Sequence, residues 1–207
     1  MTPAVRGQRP RTASFWEKLA AAQQFVLIRA SEGTKKQDEL LRANMKGAKS
    51  AGMIRSAYHF FTLDADGAAQ AEHFLTTVRA VGYTGTGPSE LPPVLDLEEG
   101  VQTCKPQAGG KVLEEVLEFL ETVQDTTGEP PILYYRDSFR PRCLSNSTAL
   151  ARYPRWLPHF SNTPPKTDDW LFWQHSDTQP TRGASASVSS NVFHDDYAAL
   201  RRRAHLN

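Results

Sequence analysis

The stretch LPPVLDLEEG, residues 91–100, decides how the chain is expected to fold. Two prolines lead into a short apolar run, and the acids Asp96 and Glu98 follow at its end. On a strand, residues i and i+2 point to the same face, so the two carboxylates would lie side by side. Because neighbouring carboxylates repel each other and are costly to desolvate, they are either solvated at the wet end of a strand or a working pair.

Similar short runs recur along the chain, several of them apolar almost throughout, as strands buried on both faces tend to be. Segments with the apolar spacing of amphipathic helices lie between the first of these runs. Alternation of this kind predicts a parallel sheet with crossover helices. The predicted strands are 25–31, 56–61, 93–98, 132–136, 155–160 and 170–176, and the predicted helices are 38–52, 66–82 and 109–128.

The alternation stops in the last third of the chain. After Tyr135 the predicted strands follow one another without long helices, and 161–169 and 178–191 are predicted as loops or short hairpins. We therefore predict one α/β domain over residues 1–207, an irregular (β/α) barrel that is TIM-like but has fewer helices in its C-terminal third. An open doubly wound sheet is the alternative.

Composition and charge narrow the class of protein. The net charge is +1, which gives no electrostatic case for nucleic acid. No apolar run approaches the ~20 residues that span a bilayer, and the first ten residues show no signal-peptide pattern. The expected protein is a monomer without a membrane span. Its localisation stays open: the protein stays where it is made, leaves by another, non-classical route, or was trimmed.

Two further features stay open at the level of sequence. The basic clusters at 6–11 and 201–203 are either solvated tails or sites of attraction to an anionic polymer. Cys104 and Cys143 fit no zinc motif, and one disulfide and two free thiols are both compatible with them.

The ends of the predicted strands carry carboxylates, aromatic rings and amides. In parallel α/β folds, functional residues collect at the C-terminal ends of strands. Aromatic faces stack on sugar rings, acids and amides bind hydroxyls, and carboxyl pairs cleave glycosidic bonds. We therefore predict a carbohydrate site with Asp96 and Glu98 as catalytic residues. The predicted substrate-binding residues are Glu32, Tyr58, Phe60, Tyr135, Trp156 and Gln174.

Taken together, the motifs are more specific than any one of them. In their order and spacing they resemble the glycoside hydrolase family 25 muramidases, the Chalaropsis-type lysozymes. The resemblance covers residues from about 16 to 193. The segments that carry it are FVLIRASEGT (25–34), AGMIRSAYHFF (51–61), LPPVLDLEEG, RWLPHF (155–160), WLFWQHS (170–176) and SNVF (190–193).

The resemblance implies both a reaction and roles for the two acids. Members of the family hydrolyse the β-1,4 bond between N-acetylmuramic acid and N-acetylglucosamine in peptidoglycan, with no cofactor and no metal. Asp96 and Glu98 match the family's Asp-x-Glu. By that match Glu98 is the general acid, and Asp96 orients or stabilises the 2-acetamido group of the substrate as it assists. The implied partner is the glycan strand of peptidoglycan.

Two positions depart from the family pattern. Arg6, ten residues before Trp16, stands where the family has its first active-site Asp, and Ser189 stands where the family's last motif has an Asp. These replacements raise the alternative of an impaired member that binds glycan or a partner protein without cleaving. A third hypothesis is an enzyme for another N-acetylated polysaccharide, such as chitin. Four other acids could compensate for the two missing aspartates: Glu32, Glu99, Asp195 and Asp196.

Overall fold

The computed structural model describes residues 2–5, 11–99, 104, 109–177 and 189–206; Arg6 lies outside these ranges. The strands are β1 (Thr2–Val5), β2 (Phe25–Glu32), β3 (Lys36–Gln37), β4 (Ile54–Phe60), β5 (Val94–Asp96), β6 (Ile132–Tyr134), β7 (Arg155–Pro158), β8 (Phe172–Ser176) and β9 (Ser189–Phe193). The helices are α1 (Ala13–Ala20), α2 (Leu41–Ser50), α3 (Gly67–Arg79), α4 (Gly109–Thr127), α5 (Phe139–Cys143) and α6 (Tyr197–Arg203), with a 3₁₀ turn at Ala149–Arg152.

The strands form one strongly curled sheet. Strands β2, β4, β5, β6, β7 and β8 are parallel neighbours in that order, and β9 is antiparallel to β8. Strand β1 is antiparallel to β9 and parallel to β2, while β3 is a short antiparallel addition to β2. This confirms the predicted α/β class. The sheet differs from a regular TIM barrel because three of its strand pairs, β1–β9, β2–β3 and β8–β9, are antiparallel.

Alternate side chains along the strands enter two different cores. Val26, Ile28 and Leu95 belong to the cluster that contains the apolar faces of α1 to α4. Leu27 and Val94 belong to a second cluster inside the curl of the sheet, to which α6 contributes Leu200 and Ala204. An open doubly wound sheet would carry helices on both faces, whereas the four longer helices here all pack on one.

The prediction of few helices in the last third is confirmed. Between β6 and β8, a stretch that the structure describes throughout, the only helical segments are the five-residue α5 and the 3₁₀ turn. The sequence pattern did not predict β1, β3, β9, α1, α5 or α6. Strand β9 begins Ser-Ser-Asn, and these polar residues placed its start in a predicted loop. None of the helices in the described part of the chain is long and apolar enough to cross a bilayer.

Cys104 and Cys143 form a disulfide, with their Cα atoms 5.3 Å apart. The sequence left this pairing open. The bond ties the chain before α4 to the end of α5, and both sulfur-bearing side chains are buried against the helix-side cluster. The bond therefore ties Cys104 to the segment that follows β6.

His59 anchors the helices to the strand that carries Tyr58. Its ring is fully buried and stacks on Phe119 of α4, with ring centroids 5.0 Å apart. Gln70 of α3 donates through its amide nitrogen to two backbone carbonyls, which leaves its Oε1 to accept from His59 Nε2 at 3.2 Å. Nδ1 then accepts from the Ser31 hydroxyl at 2.8 Å, so the site fits a neutral imidazole. Burial lowers the pKa of His59 from 6.5 to about 3.

The lowered pKa of His59 predicts acid sensitivity of the fold. Between pH 6.5 and about 3 the unfolded chain binds a proton at His59 that the folded chain does not, so the free energy of unfolding falls as the pH falls. The contribution is about 1 kcal/mol per pH unit in that window. Urea unfolding of wild type and His59→Gln at pH 7 and pH 4.5 checks it. The wild type should lose more stability than the variant, and equal losses would contradict the prediction.

Candidate active site

A cavity of about 410 Å³ opens at the C-terminal ends of the parallel strands. It lies above the inner cluster, and Tyr58, Tyr134 and Trp156 belong to both. Carboxylates, aromatic rings and single amide, hydroxyl and guanidinium groups meet there. The lining residues are Tyr58, Asp96, Glu98, Tyr134, Arg136, Trp156, Phe160, Gln174, Asp177 and Ser189.

Strand register explains why these side chains meet. Phe60 of β4 pairs with Asp96 of β5, Asp96 with Tyr134 of β6, and Tyr134 with Trp156 of β7. Paired residues of neighbouring parallel strands point to the same face of a sheet. The row therefore brings an acid and two aromatic side chains to one edge of the cavity.

Asp96 and Glu98 both line this cavity, as the i, i+2 spacing predicted. Only 4% of Asp96 is exposed, so it is not a solvated surface acid. Glu98 follows the end of β5 and is half-buried. Burying an acid of this kind at a cavity wall is costly unless other groups compensate, and such sites are often functional.

Two hydrogen bonds hold the far wall of the cavity in place. The Tyr134 hydroxyl donates to Gln174 Oε1 at 2.7 Å, and Trp156 Nε1 donates to Asn191 Oδ1 at 2.8 Å. All four residues are buried. These bonds join β6 to β8 and β7 to β9, so the aromatic side chains keep one orientation.

Three predicted binding residues lie outside the cavity. Tyr135 faces the helix-side cluster, where its ring lies under the Arg155 guanidinium, 4.3 Å from ring centroid to Cζ. Glu32 forms ion pairs with Arg29 and Lys36, and the Arg29 guanidinium also lies over the Phe60 ring. Glu32 lines a neighbouring cavity of about 380 Å³. The structure thus brings together Tyr58, Trp156 and Gln174 with the two acids and turns Tyr135 to the opposite face of the sheet. Phe60 pairs with Asp96 in the sheet, but neither it nor Glu32 lines this cavity.

The cavity also contains residues that the sequence analysis did not select. Tyr134 takes the place expected for Tyr135, because it is the tyrosine that shares the register row of Asp96. Arg136 and Asp177 follow the ends of β6 and β8, so a search of every position just after a strand would have found them. Phe160 is the last residue of the predicted strand 155–160, and its sequence position gives no other indication that it lines the cavity.

Of the acids considered as compensation, none lines this cavity. Glu99 pairs with Arg142 at 3.0 Å. Asp196 caps α6, accepting from the backbone N–H of Ala199, and Asp195 lies with it beside a separate cavity near Phe25. Ser189 does line the cavity, and the third carboxylate there is Asp177.

Two groups among the described residues have the donor types of a metal site. One is Glu99 with Cys104 and Cys143, but the two sulfurs are bonded to each other and do not offer thiolates. The other is Asp66 with Glu115 and Glu118 on the surface, where Glu115 already accepts from the backbone N–H of Gly67. Neither group lies at the cavity.

The bond between Tyr134 and Gln174 predicts a stability difference between the two adjacent tyrosines. Tyr134→Phe removes the hydroxyl and leaves the buried Gln174 carbonyl without it, which should cost about 1–2 kcal/mol. Tyr135→Phe keeps the ring under Arg155 and should cost less than about 0.5 kcal/mol. Urea unfolding of both variants checks this, and a larger loss for Tyr135→Phe would contradict the placement of the two side chains.

Comparison with known proteins assigns the chain to a family. The family model "Glycosyl hydrolases family 25" matches residues 11–184. The chain is 31% identical to the uncharacterized protein YegX of Escherichia coli (strain K12), covering 90% of this chain and 67% of YegX. It is 30% identical to Lysozyme M1 of Streptomyces globisporus, covering 87% and 63% of the two chains. It is 29% identical to the N,O-diacetylmuramidase of Chalaropsis sp, covering 87% and 90%.

Solved structures agree with this assignment. The bacterial lysozyme of Streptomyces coelicolor superposes with a TM-score of 0.82 at 28% identity, over 91% of this chain and 90% of that one. The muramidase of Acremonium alcalophilum gives the same TM-score and identity, over 98% and 97%. Because the family match covers most of the chain, this protein belongs to glycosyl hydrolases family 25.

Proposed function

We propose that this chain is a peptidoglycan hydrolase that cleaves the β-1,4 bond between N-acetylmuramic acid and N-acetylglucosamine. Membership of family 25 makes it a glycosidase. The observation that carries the proposal is the convergence of Asp96 and Glu98 in a cavity with aromatic walls. The curled sheet acts in it as an irregular (β/α) barrel, with the site at the carboxyl ends of its parallel strands.

The chemistry assigns a separate task to each acid. In the first step the carbonyl oxygen of the 2-acetamido group attacks C1 of the sugar, and the bond to the leaving oxygen breaks as Glu98 gives it a proton. Positive charge then develops on the acetamido nitrogen, and the Asp96 carboxylate accepts a hydrogen bond from its N–H. In the second step water attacks C1, Glu98 takes a proton from that water, and the acetamido group is restored with retained configuration at C1.

The aromatic walls suit a saccharide chain. Tyr58, Trp156 and Phe160 bring aromatic rings to the cavity lining, and Gln174 lies among them as a polar partner. Sugar rings carry C–H groups on their faces and hydroxyls on their edges, so rings and amides together favour a pyranose over a purely apolar ligand. Glu32 and Phe60 stay proposed as contacts further along the glycan, beside the neighbouring cavity. Tyr135 stays a prediction without a place in the cavity.

A second candidate function follows from Ser189. This residue lines the cavity where the family resemblance leads to an aspartate, so the site has one acid fewer on that wall. A member with a reduced set of acids would bind glycan strands without releasing product. Asp177 bears against this candidate, because it supplies a carboxylate to the same cavity.

The experiment that tests the proposal compares two neighbouring glutamates. Glu98→Gln removes the proton donor but keeps the shape of the side chain, so release of reducing ends from purified peptidoglycan should fall by about two to four orders of magnitude. Glu99→Gln is the matched control, because Glu99 pairs with Arg142 outside the cavity and should leave release unchanged. Mass spectrometry should identify N-acetylmuramic acid at the new reducing ends.

Three results would count against the proposal. Wild-type turnover by Glu98→Gln would remove Glu98 from the chemistry. Saturable binding of peptidoglycan by the wild type, with no release of reducing ends, would favour the glycan-binding candidate. Cleavage of chitin oligomers in preference to peptidoglycan would favour a different N-acetylated substrate.

A further inference from the structure

Arg136 is the only cation among the described residues that line the cavity. It follows β6 by two residues, and its guanidinium lies over the ring of Phe160, with Cζ 4.9 Å from the ring centroid. Phe160 is 45% exposed, which is unusual for a large apolar side chain in this protein. The two side chains therefore form an exposed stacked pair at the cavity.

Arg136 has no acidic partner among the described residues, in contrast to three arginines that follow it in the chain. Arg155 pairs with Asp137 and Asp169, Arg142 pairs with Glu99, and Arg152 pairs with Glu121. No ion pair or hydrogen bond joins the Arg136 guanidinium to any part of the chain that the structure describes; only its backbone carbonyl is bonded, to the N–H of Phe139. Its five N–H donors are thus available to a ligand.

The stacking prepares the guanidinium for one kind of ligand. An aromatic ring against one face restricts the side chain while leaving the N–H groups at the edge of the plane. That edge matches the two oxygens of a carboxylate, with which it forms paired, charge-assisted hydrogen bonds.

The rest of the cavity repels such a ligand. Asp96 and Asp177 line the same cavity, and the negative charge of such carboxylates disfavours a substrate carboxylate beside them and favours one beside Arg136. A neutral polysaccharide would gain nothing from this arrangement, whereas an acidic one would be held in one position along the cavity.

We propose that Arg136, stacked on Phe160, binds a carboxylate of the glycan substrate and so selects muramic acid-containing strands over neutral N-acetylated polysaccharides. This inference rests on the proposed function. The carboxylate has two sources, the lactyl group of N-acetylmuramic acid where no peptide is attached, and the peptide stem where one is. Both present the same chemistry to the guanidinium.

The test uses three soluble glycans of equal length. One is stripped of peptide and has free lactyl carboxylates, one keeps its peptide stems, and one has every carboxyl group converted to an amide. Binding is measured by calorimetry, and KM and kcat are measured by release of reducing ends. The variants are Arg136→Ala, Arg136→Lys and, as a matched control, Arg140→Ala, an exposed arginine of α5 that does not line the cavity.

The expected result is selective for charge. Arg136→Ala should weaken binding and raise KM for an acidic glycan roughly five- to twenty-fold, with kcat within about two-fold of wild type, and leave the amidated glycan unchanged. Arg136→Lys should recover part of the loss, and Arg140→Ala should match wild type. An effect on the stripped glycan supports the lactyl carboxylate as ligand, and an effect restricted to the stem-bearing glycan supports the stem.

Other outcomes would overturn the subsite. One is an equal loss of binding to acidic and amidated glycans in Arg136→Ala, which would mean that Arg136 does not recognise the carboxylate charge. The other is no loss on any glycan. The calorimetric binding measurement separates this inference from the proposed function. If the wild type binds acidic glycans selectively but releases no reducing ends, the carboxylate-binding site is supported and the hydrolase activity is contradicted.

Discussion

Backbone pairing between β4, β5, β6 and β7 is the constraint on which the candidate active site depends. It sets the register row that contains Asp96, and the strand period of two turns Leu95 and Leu97 toward the helices. A slip of one residue would exchange these faces and place the Asp96 carboxylate among apolar helix side chains, at a cost of several kcal/mol. The packing of Leu95 and Leu97 on α3 and α4 therefore holds the acid at the cavity as firmly as any contact of the acid itself.

The same constraint explains how far the sequence alone could reach. Apolar runs and helical spacing predicted the α/β class, the strands of the sheet interior and the loss of helices in the last third. They did not tell Tyr134 from Tyr135, because β6 is buried on both faces and shows no alternation of polar and apolar residues. In a strand that is buried on both faces, the face to which each side chain points depends on the pairing with neighbouring strands. Tyr134 can therefore be identified as the cavity residue only once its register with Asp96 is known.

Other parts of the site were hidden for a different reason. Arg136 falls inside the predicted strand 132–136 and Asp177 directly after the predicted strand 170–176, and neither position by itself shows that the side chain reaches the cavity. The disulfide joins residues 39 positions apart, and two cysteines contain no information about their distance in space. Asn191, which fixes Trp156, lies on β9, whose polar start concealed the strand. Each of these features depends on contacts between distant segments, which residue spacing does not encode.

The position of Arg136 bears on how one cavity could both bind an acidic sugar and contain the proposed proton donor. A proton donor loses its function if an arginine holds it in the ionised form, so a positive charge close to Asp96 and Glu98 is a hazard for a glycosidase. Here the ring of Phe160 occupies the Arg136 guanidinium, and no described carboxylate is paired with it. A cation–π contact holds the charge at the cavity without neutralising an acid. Stacking in place of ion pairing is thus compatible with both proposed roles in one cavity, Glu98 as proton donor and Arg136 as the binding group for an acidic sugar.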